Sequence, residues 1–317
     1  MKHTIHTNIA SLNHQWIVFF ADSLVYRQHL FPAGILSSII YCPELLDRSC
    51  ENKIPILDLS QIISHMKQTS VLFLVNIIAF SALGQRPSTE QIETSKGPLI
   101  IQPILHGSVV VTWNNNTIYV DPYGGAKLFE GIAAPDLVLI TDIHGDHMNA
   151  ETLSAIETAK AIFVVPQAVA DQLPDNLKSK AEVLSNGKSI SKLGIQISAI
   201  PMYNLPEAPD SRHTKGRGNG YILNLGGKMV YFSGDTEDIS EMRSLKNIDV
   251  AFVCMNQPFT MDINQASSAV LAFKPRIVYP YHYRGQGGLS DVEAFKKLVN
   301  TGDPSIDVRL RNWYPEN

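Results

Sequence analysis

The chain has 317 residues, enough for one large or two small domains. Its formal net charge is −4, and it lacks the basic stripe that nucleic-acid binding requires, so no nucleic-acid partner is expected. Charged residues make up only 18% of the chain, partly because a strongly apolar segment lies near residue 75.

Residues 1–65 mix His, Cys, aromatic and apolar residues without a sustained period, apart from a short helix candidate at 56–63. Met66-Lys67-Gln68-Thr69-Ser70 then precedes an apolar run over 71–80 and the small-residue stretch Ser81-Ala82-Leu83-Gly84. A basic start, a short apolar run and small residues at Ala82 and Gly84 describe a secretory signal peptide over 66–84. The run is too short for a comfortable transmembrane helix. Translation is therefore expected to start at Met66, with 1–65 an upstream extension. The alternative is that 1–65 are genuine and 71–83 is a buried helix or a membrane anchor. Cleavage near Gly84 implies a secreted or periplasmic protein whose membrane contact is limited to the signal segment. Cys42 and Cys50 fall in the extension, which leaves only Cys254 and no internal disulfide. Residues 85–98 are polar and are expected to be a flexible lead-in.

Strands are predicted over 99–105, 109–113 and 117–120, with Asn114-Asn115-Asn116 as the turn before the last, since Asn tolerates positive φ. Strands over 137–140 and 161–165 flank a helix over 150–160. Strands over 194–200, 221–225, 228–232 and 250–254 follow, with Gly226-Gly227 as a tight hairpin turn. Helices are predicted over 239–244, 263–273 and 291–299. The last has Ser290 as cap, Glu293 three residues on, and an apolar face of Val292, Phe295, Leu298 and Val299. Strands outnumber helices and both are spread along the chain, so the fold class is α/β or α+β over 99–317.

The densest chemistry is Thr141-Asp142-Ile143-His144-Gly145-Asp146-His147, which places two imidazoles and two carboxylates between a buried strand and a capped helix start. His and carboxylate side chains are ligands for zinc and related divalent ions. Alone, such a loop is as readily a polar surface turn. Two further strand ends change the balance. Lys228-Met229-Val230-Tyr231-Phe232 leads into Ser233-Gly234-Asp235-Thr236, and Arg276-Ile277-Val278-Tyr279-Pro280-Tyr281 delivers His282.

This order resembles the metallo-β-lactamase superfamily of metal-dependent hydrolases. Its usual first motif, His-x-His-x-Asp-His, reads here as Asp142-x-His144-x-Asp146-His147. The bridging Asp matches Asp235, the last His matches His282, and Val120-Asp121-Pro122 resembles the strand-end Asp that supports the metal loop. The likeness is greatest to the branch with L-ascorbate-6-phosphate lactonase and N-acyl phosphatidylethanolamine phospholipase D. It extends to His106-Gly107-Ser108, Met202-Tyr203-Asn204 and Asn219-Gly220-Tyr221, and covers about 99–299.

The resemblance implies a four-layer αββα sandwich with two divalent metal ions, zinc or alternatively manganese, at one edge. It implies Asp142, His144 and His282 as metal ligands, Asp146 and His147 on the second metal, and Asp235 as the bridge, with His282 open to either site. Asp121 and Thr236 are the expected orienting partners, and Asp146 and His106 the catalytic candidates. Two departures stand out. Asp142 replaces the usual His, a harder ligand that disfavours zinc. Asn204 falls where a third His is usual, and His213, nine residues on, is the candidate to fold back in its place. Asn204, Lys215, Arg217 and Tyr281 are the substrate-binding candidates. The basic, Gly-rich loop over 212–220 suits an anionic small molecule, or is simply a solvated loop. The expected activity is hydrolysis of an ester, lactone, phosphodiester or amide by a metal-activated water. The alternative is a non-catalytic metal- or ligand-binding member of the fold.

Overall fold

The structure is a computed structural model that describes residues 86–315. The expectations for the upstream extension, the signal segment, Cys42 and Cys50 all lie outside the described residues. Among the described residues no helix is long and apolar enough to cross a membrane.

Two seven-stranded sheets carry the fold. The first contains β1 (Glu90–Thr94), β2 (Gly97–Leu105), β3 (Ser108–Trp113), β4 (Asn116–Val120), β5 (Leu137–Leu139), β6 (Ile162–Val165) and β7 (Ala181–Val183), side by side in chain order. The second contains β8 (Ser189–Lys192), β9 (Ile195–Met202), β10 (Gly218–Leu225), β11 (Lys228–Phe232), β12 (Val250–Cys254), β13 (Ile277–Tyr281) and, at the far edge, β16 (Asp307–Val308). A small separate hairpin joins β14 (Arg284–Gly285) to β15 (Gly288–Leu289). Each large sheet opens as an antiparallel meander and continues as parallel strands, so the second half of the domain repeats the plan of the first.

Alternation along the strands separates the layers. Val109 and Val111, Ile118 and Val120, and Leu137 and Leu139 face the second sheet. Their neighbours Val110, Tyr119 and Val138 point the other way. There they pack on Leu153, Val169 and Leu177 from three short helices, α1 (Ala150–Ala155), α2 (Gln167–Gln172) and α3 (Asp175–Lys178), and on Leu173, which ends α2. The second sheet is covered by α4 (Ser240–Arg243), α5 (Ile263–Phe273) and α6 (Val292–Gly302), which contribute Met242, Ala266, Val270, Phe273, Phe295 and Val299. The expected αββα layering is therefore present. Both predicted hairpin turns have positive φ at their two central residues, 48° and 62° at Asn114 and Asn115 and 60° and 85° at Gly226 and Gly227, which matches the strand twist.

Several local expectations are corrected. Residues 90–94, expected within a flexible lead-in, form β1: Ile92 packs on the inter-sheet core and Glu90 is held by Arg309 and Arg311. One large apolar residue in five left that strand invisible to periodicity. The helix expected over 150–160 ends at Ala155, because Ile156 turns extended and packs into the core beneath the first sheet. Asp291, not Ser290, caps α6 by accepting from the Ala294 N–H, while the Ser290 hydroxyl donates to the Met255 carbonyl. The complete capping box belongs to α5, between Asp262 and Gln265. Cys254 is buried and its thiol is pushed up to about 12 by burial, so it is an unreactive core residue.

Tyr221 joins the two sheets through the core. Its ring is fully buried, and its hydroxyl on β10 is 2.9 Å from the Ile140 carbonyl, just past β5, and 3.1 Å from that of Val164 in β6. Tyr221→Phe leaves those acceptors short of a donor and is expected to cost about 1–2 kcal/mol of stability, read as a lower urea midpoint at unchanged m-value. An unchanged midpoint would show that this hydroxyl contributes nothing to the joint.

Candidate metal centre

The parallel strands of both sheets point their carboxyl ends to one edge, the usual location of sites in such sheets. Asp121 follows β4, the 141–148 loop follows β5, Asp235 follows β11 and His282 follows β13. His106 joins them from the β2–β3 turn, and Asn204, His213 and Arg217 from the connection between β9 and β10. Three of these non-glycine residues sit in the left-handed region: His106 at φ 59°, Asp121 at 45° and His282 at 48°. Such backbone costs on the order of 1–3 kcal/mol per residue and persists where surroundings impose it. Gly107 is required by close approach, since a Cβ there would meet the His282 ring at 2.9 Å.

The side chains form three groups with metal-ligand spacing, the last two sharing His282: Asp142, His144 and His213; His147, Asp235 and His282; and His106, Asp146 and His282. Asp235 stands between them. Its Oδ2 lies 3.4 Å from His147 Nε2 and 3.3 Å from His213 Nε2, and its Oδ1 lies 3.4 Å from His282 Nε2. The His147 and His282 Nε2 atoms are 3.2 Å apart. His213 Nε2 and Asp235 Oδ1 are buried without a hydrogen-bond partner among the described residues. Buried polar atoms are rarely left so. Nitrogen and carboxylate donors converging with free lone pairs fit divalent metal ions.

The supporting contacts fix which ring nitrogen faces inward. Asp121 accepts from the Thr141 N–H at 2.8 Å and hydroxyl at 2.6 Å, and its Oδ2 is 2.8 Å from His147 Nδ1. The His147 Nδ1–H therefore donates to Asp121 and Nε2 is presented to the centre, the arrangement expected of a ligating imidazole. Asn204 does the same for His213: its Oδ1 accepts from the His213 backbone N–H at 2.8 Å and is 3.1 Å from Nδ1. His213 thus turns Nε2 toward Asp235, with Asn204 behind it, tied to Glu237 and the Phe259 carbonyl. The Thr236 hydroxyl bonds the Glu237 and Tyr203 backbone rather than a candidate ligand's side chain.

Burial opposes charge on Asp235, but His282 and His147 outweigh it and hold the carboxyl well below its usual range. Burial likewise opposes charge on His147, and Asp235 and Asp121 outweigh it, raising its proton affinity. Asp142 behaves similarly: burial would raise it, but His144 and Arg217 bring it down to about 2. His106 is lowered to about 4, first by burial and then by His282, so it is neutral at pH 7. Its Nε2 is 3.2 Å from Asp146 Oδ2 and its Nδ1 2.5 Å from the Tyr314 hydroxyl, which accepts from the Arg284 N–H. Every partner is satisfied when Tyr314 donates to Nδ1 and Nε2–H donates to Asp146.

The remaining substrate-binding candidates are Tyr281, Lys215 and Arg217. Tyr281 is buried; its hydroxyl accepts from the Gly234 N–H and its ring packs on Phe252 and Trp313, so it braces the Asp235 turn. Lys215 is tied to Glu207, Glu241 and the Tyr203 hydroxyl. Arg217 grips Asp142. Both cations that suggested an anionic ligand are therefore paired. Sequence reasoning missed Tyr314, which lies in an irregular C-terminal stretch with no motif, and Thr141, whose role depends on the Asp121 turn.

A family model described as a beta-lactamase superfamily domain matches residues 101–282. A UPF0173 metal-dependent hydrolase of Pyrococcus abyssi is 33% identical over 182 residues, covering 56% of this chain and 78% of its own length. One from Pyrococcus horikoshii is 31% identical over 205 residues, covering 61% and 88%. Among solved structures, a metal-dependent hydrolase by description from Parabacteroides distasonis superposes with a TM-score of 0.64 at 36% identity, over 71% of this chain and 98% of that one. Igni18, a metallo hydrolase of Ignicoccus hospitalis, gives 0.57 at 25% identity, over 67% and 94%.

Asp121→Asn should weaken zinc binding about 10–100-fold with the fold retained, because His147 loses the carboxylate that fixes its tautomer. Competitive zinc titration alongside a thermal melt checks this; unaltered affinity would remove Asp121 from the centre.

Proposed function

Because the chain belongs to the UPF0173 metal-dependent hydrolases of the metallo-β-lactamase superfamily, we propose that it works as a dinuclear zinc enzyme on an ester, lactone, phosphodiester or amide. The observation that carries this is Asp235, a buried carboxylate within 3.4 Å of ring nitrogens from His147, His213 and His282, so that one anion spans two ligand groups. Asp142, His144 and His213 would hold one ion, and His147 and His282, with Asp146 beside both, the other. Divalent ions, when bound, supply an acidified water near neutral pH and a Lewis-acid contact for the substrate oxygen.

The chain's own residues do the rest. Asp121 and Asn204 hold His147 and His213 with Nε2 inward. Asp146 is the most exposed of the clustered carboxylates, at 30% of its side-chain surface, and so faces incoming water and substrate. Burial would raise its pKa, but His106 and His282 outweigh this and keep it far below the usual range. It therefore acts as a fixed anion that orients a water molecule rather than as a proton store. His106, neutral and backed by Tyr314, holds Asp146 in that orientation. The motif likeness to the lactonase and phospholipase branch supports a lactone or phosphodiester among the scissile groups, and the 66–84 segment supports activity outside the cytoplasm.

Chelator-stripped protein should lose turnover on a panel of chromogenic esters, lactones and phosphodiesters, and about two zinc ions per chain should restore it. Asp146→Ala should lower turnover by at least about 100-fold with an unchanged melt. Full activity in metal-free protein, or in a folded Asp146→Ala variant, contradicts the proposal.

A further inference from the structure

Asp142 is the residue at which this chain departs from the family's histidine-rich motif, and the structure gives it a partner. Arg217 meets the fully buried Asp142 at two points, Nε to Oδ1 at 3.0 Å and Nη2 to Oδ2 at 2.8 Å. This is the fork-to-fork geometry of a strong guanidinium–carboxylate pair. The guanidinium is delivered by a backbone with little freedom. Arg217 stands just before β10, where the Asn219 N–H donates to the Thr141 carbonyl at 2.9 Å. A Cβ on Gly218 would meet that same carbonyl at 2.8 Å, so β10 lies directly against the loop that carries Asp142.

The two ligand groups are consequently unequal. In the first, His213 Nε2 lacks a hydrogen-bond partner, but both oxygens of Asp142 are already engaged by a cation. Asp142 Oδ2, the atom gripped by Nη2, is also the one facing His144 Nδ1 at 2.8 Å and His213 Nε2 at 4.0 Å. A metal ion held there would share that oxygen with a positive charge. In the second group, the partners of Asp146 and Asp235 are imidazoles, which can give way to a metal; no Lys or Arg pairs with either among the described residues. A divalent ion is attracted by uncompensated carboxylates and repelled by a fixed guanidinium, and both effects are strong in a buried site.

We propose that Arg217 sets the order of metal loading. By neutralising Asp142 it leaves a weak first position, built chiefly from His144, His213 and the shared Asp235. The position formed by Asp146, His147, Asp235 and His282 fills first, and the Asp142 position fills last. Arg217 is thus a positioning residue acting through Asp142, and the inference rests on the two-position centre proposed above.

The test uses metal-stripped full chain titrated with zinc against a chromogenic chelator, and separately with Co²⁺ followed by its visible absorption. Wild-type protein should show two events separated by about tenfold or more in affinity. Arg217→Met should tighten the weaker event by about tenfold or more and leave the stronger one in place. It should also change the Co²⁺ spectrum only in the second half of the titration. If Arg217→Met fails to fold, the double variant Asp142→His/Arg217→Met replaces the ion pair with two neutral side chains and should tighten the same event. Two equal events in wild type, or a weaker event that is unchanged or lost in the folded variant, overturns the role of Arg217. No binding at all overturns the two-position centre itself, and with it this inference.

Discussion

Asp235 is the constraint on which the site depends. A carboxylate this deeply buried is costly unless opposite charge or donors surround it. Three imidazoles from three separate connections, after β5, before β10 and after β13, meet that requirement. Each imidazole is then held from behind or forced inward by its backbone. Asp121 holds His147, Asn204 holds His213, and His282 sits in left-handed backbone against Gly107. The local strain at His106, Asp121 and His282 is offset by the packing of two sheets whose strand ends converge there.

That convergence follows from the repeated plan. Each sheet is a meander that turns into parallel strands, and the parallel portions end at the same edge. Tyr221, reaching from β10 to the ends of β5 and β6, and the Asn219 N–H on the Thr141 carbonyl lock the second sheet to the loop that carries most of the candidate ligands. Arg217 sits on the same strand start, so the contact that joins the sheets also places a cation on Asp142. The pair is nearly neutral overall, which brings the position closer in charge to an imidazole than the bare Asp in the sequence suggests.

Much of this was legible in the sequence. The loop of candidate ligands, Asp235 and His282 each follow an apolar strand, and strand periodicity located β3, β4, β5, β11, β12 and β13 to within a residue or two. Motif order supplied the layering and Asp121. What was not legible depends on tertiary contact. β1 carries one large apolar residue and depends on Arg309 and Arg311 for anchoring, so no pattern announced it. The destination of Arg217 could not be read because the Gly-rich loop around it has no period. Tyr281 has the composition of a pocket residue but the alternation of β13 turns it into the core. Tyr314 reaches His106 from 208 positions away, a separation that no local signal spans.

The most direct test of the account is diffraction from zinc-loaded crystals, with data at the zinc absorption edge. An anomalous peak should lie in contact with a carboxylate oxygen of Asp235 and Nε2 of both His147 and His282. A second, weaker peak should lie beside His144 and His213. Zinc bound elsewhere, or Asp235 hydrogen-bonded directly to protonated His147 and His282 in zinc-saturated crystals, would contradict it.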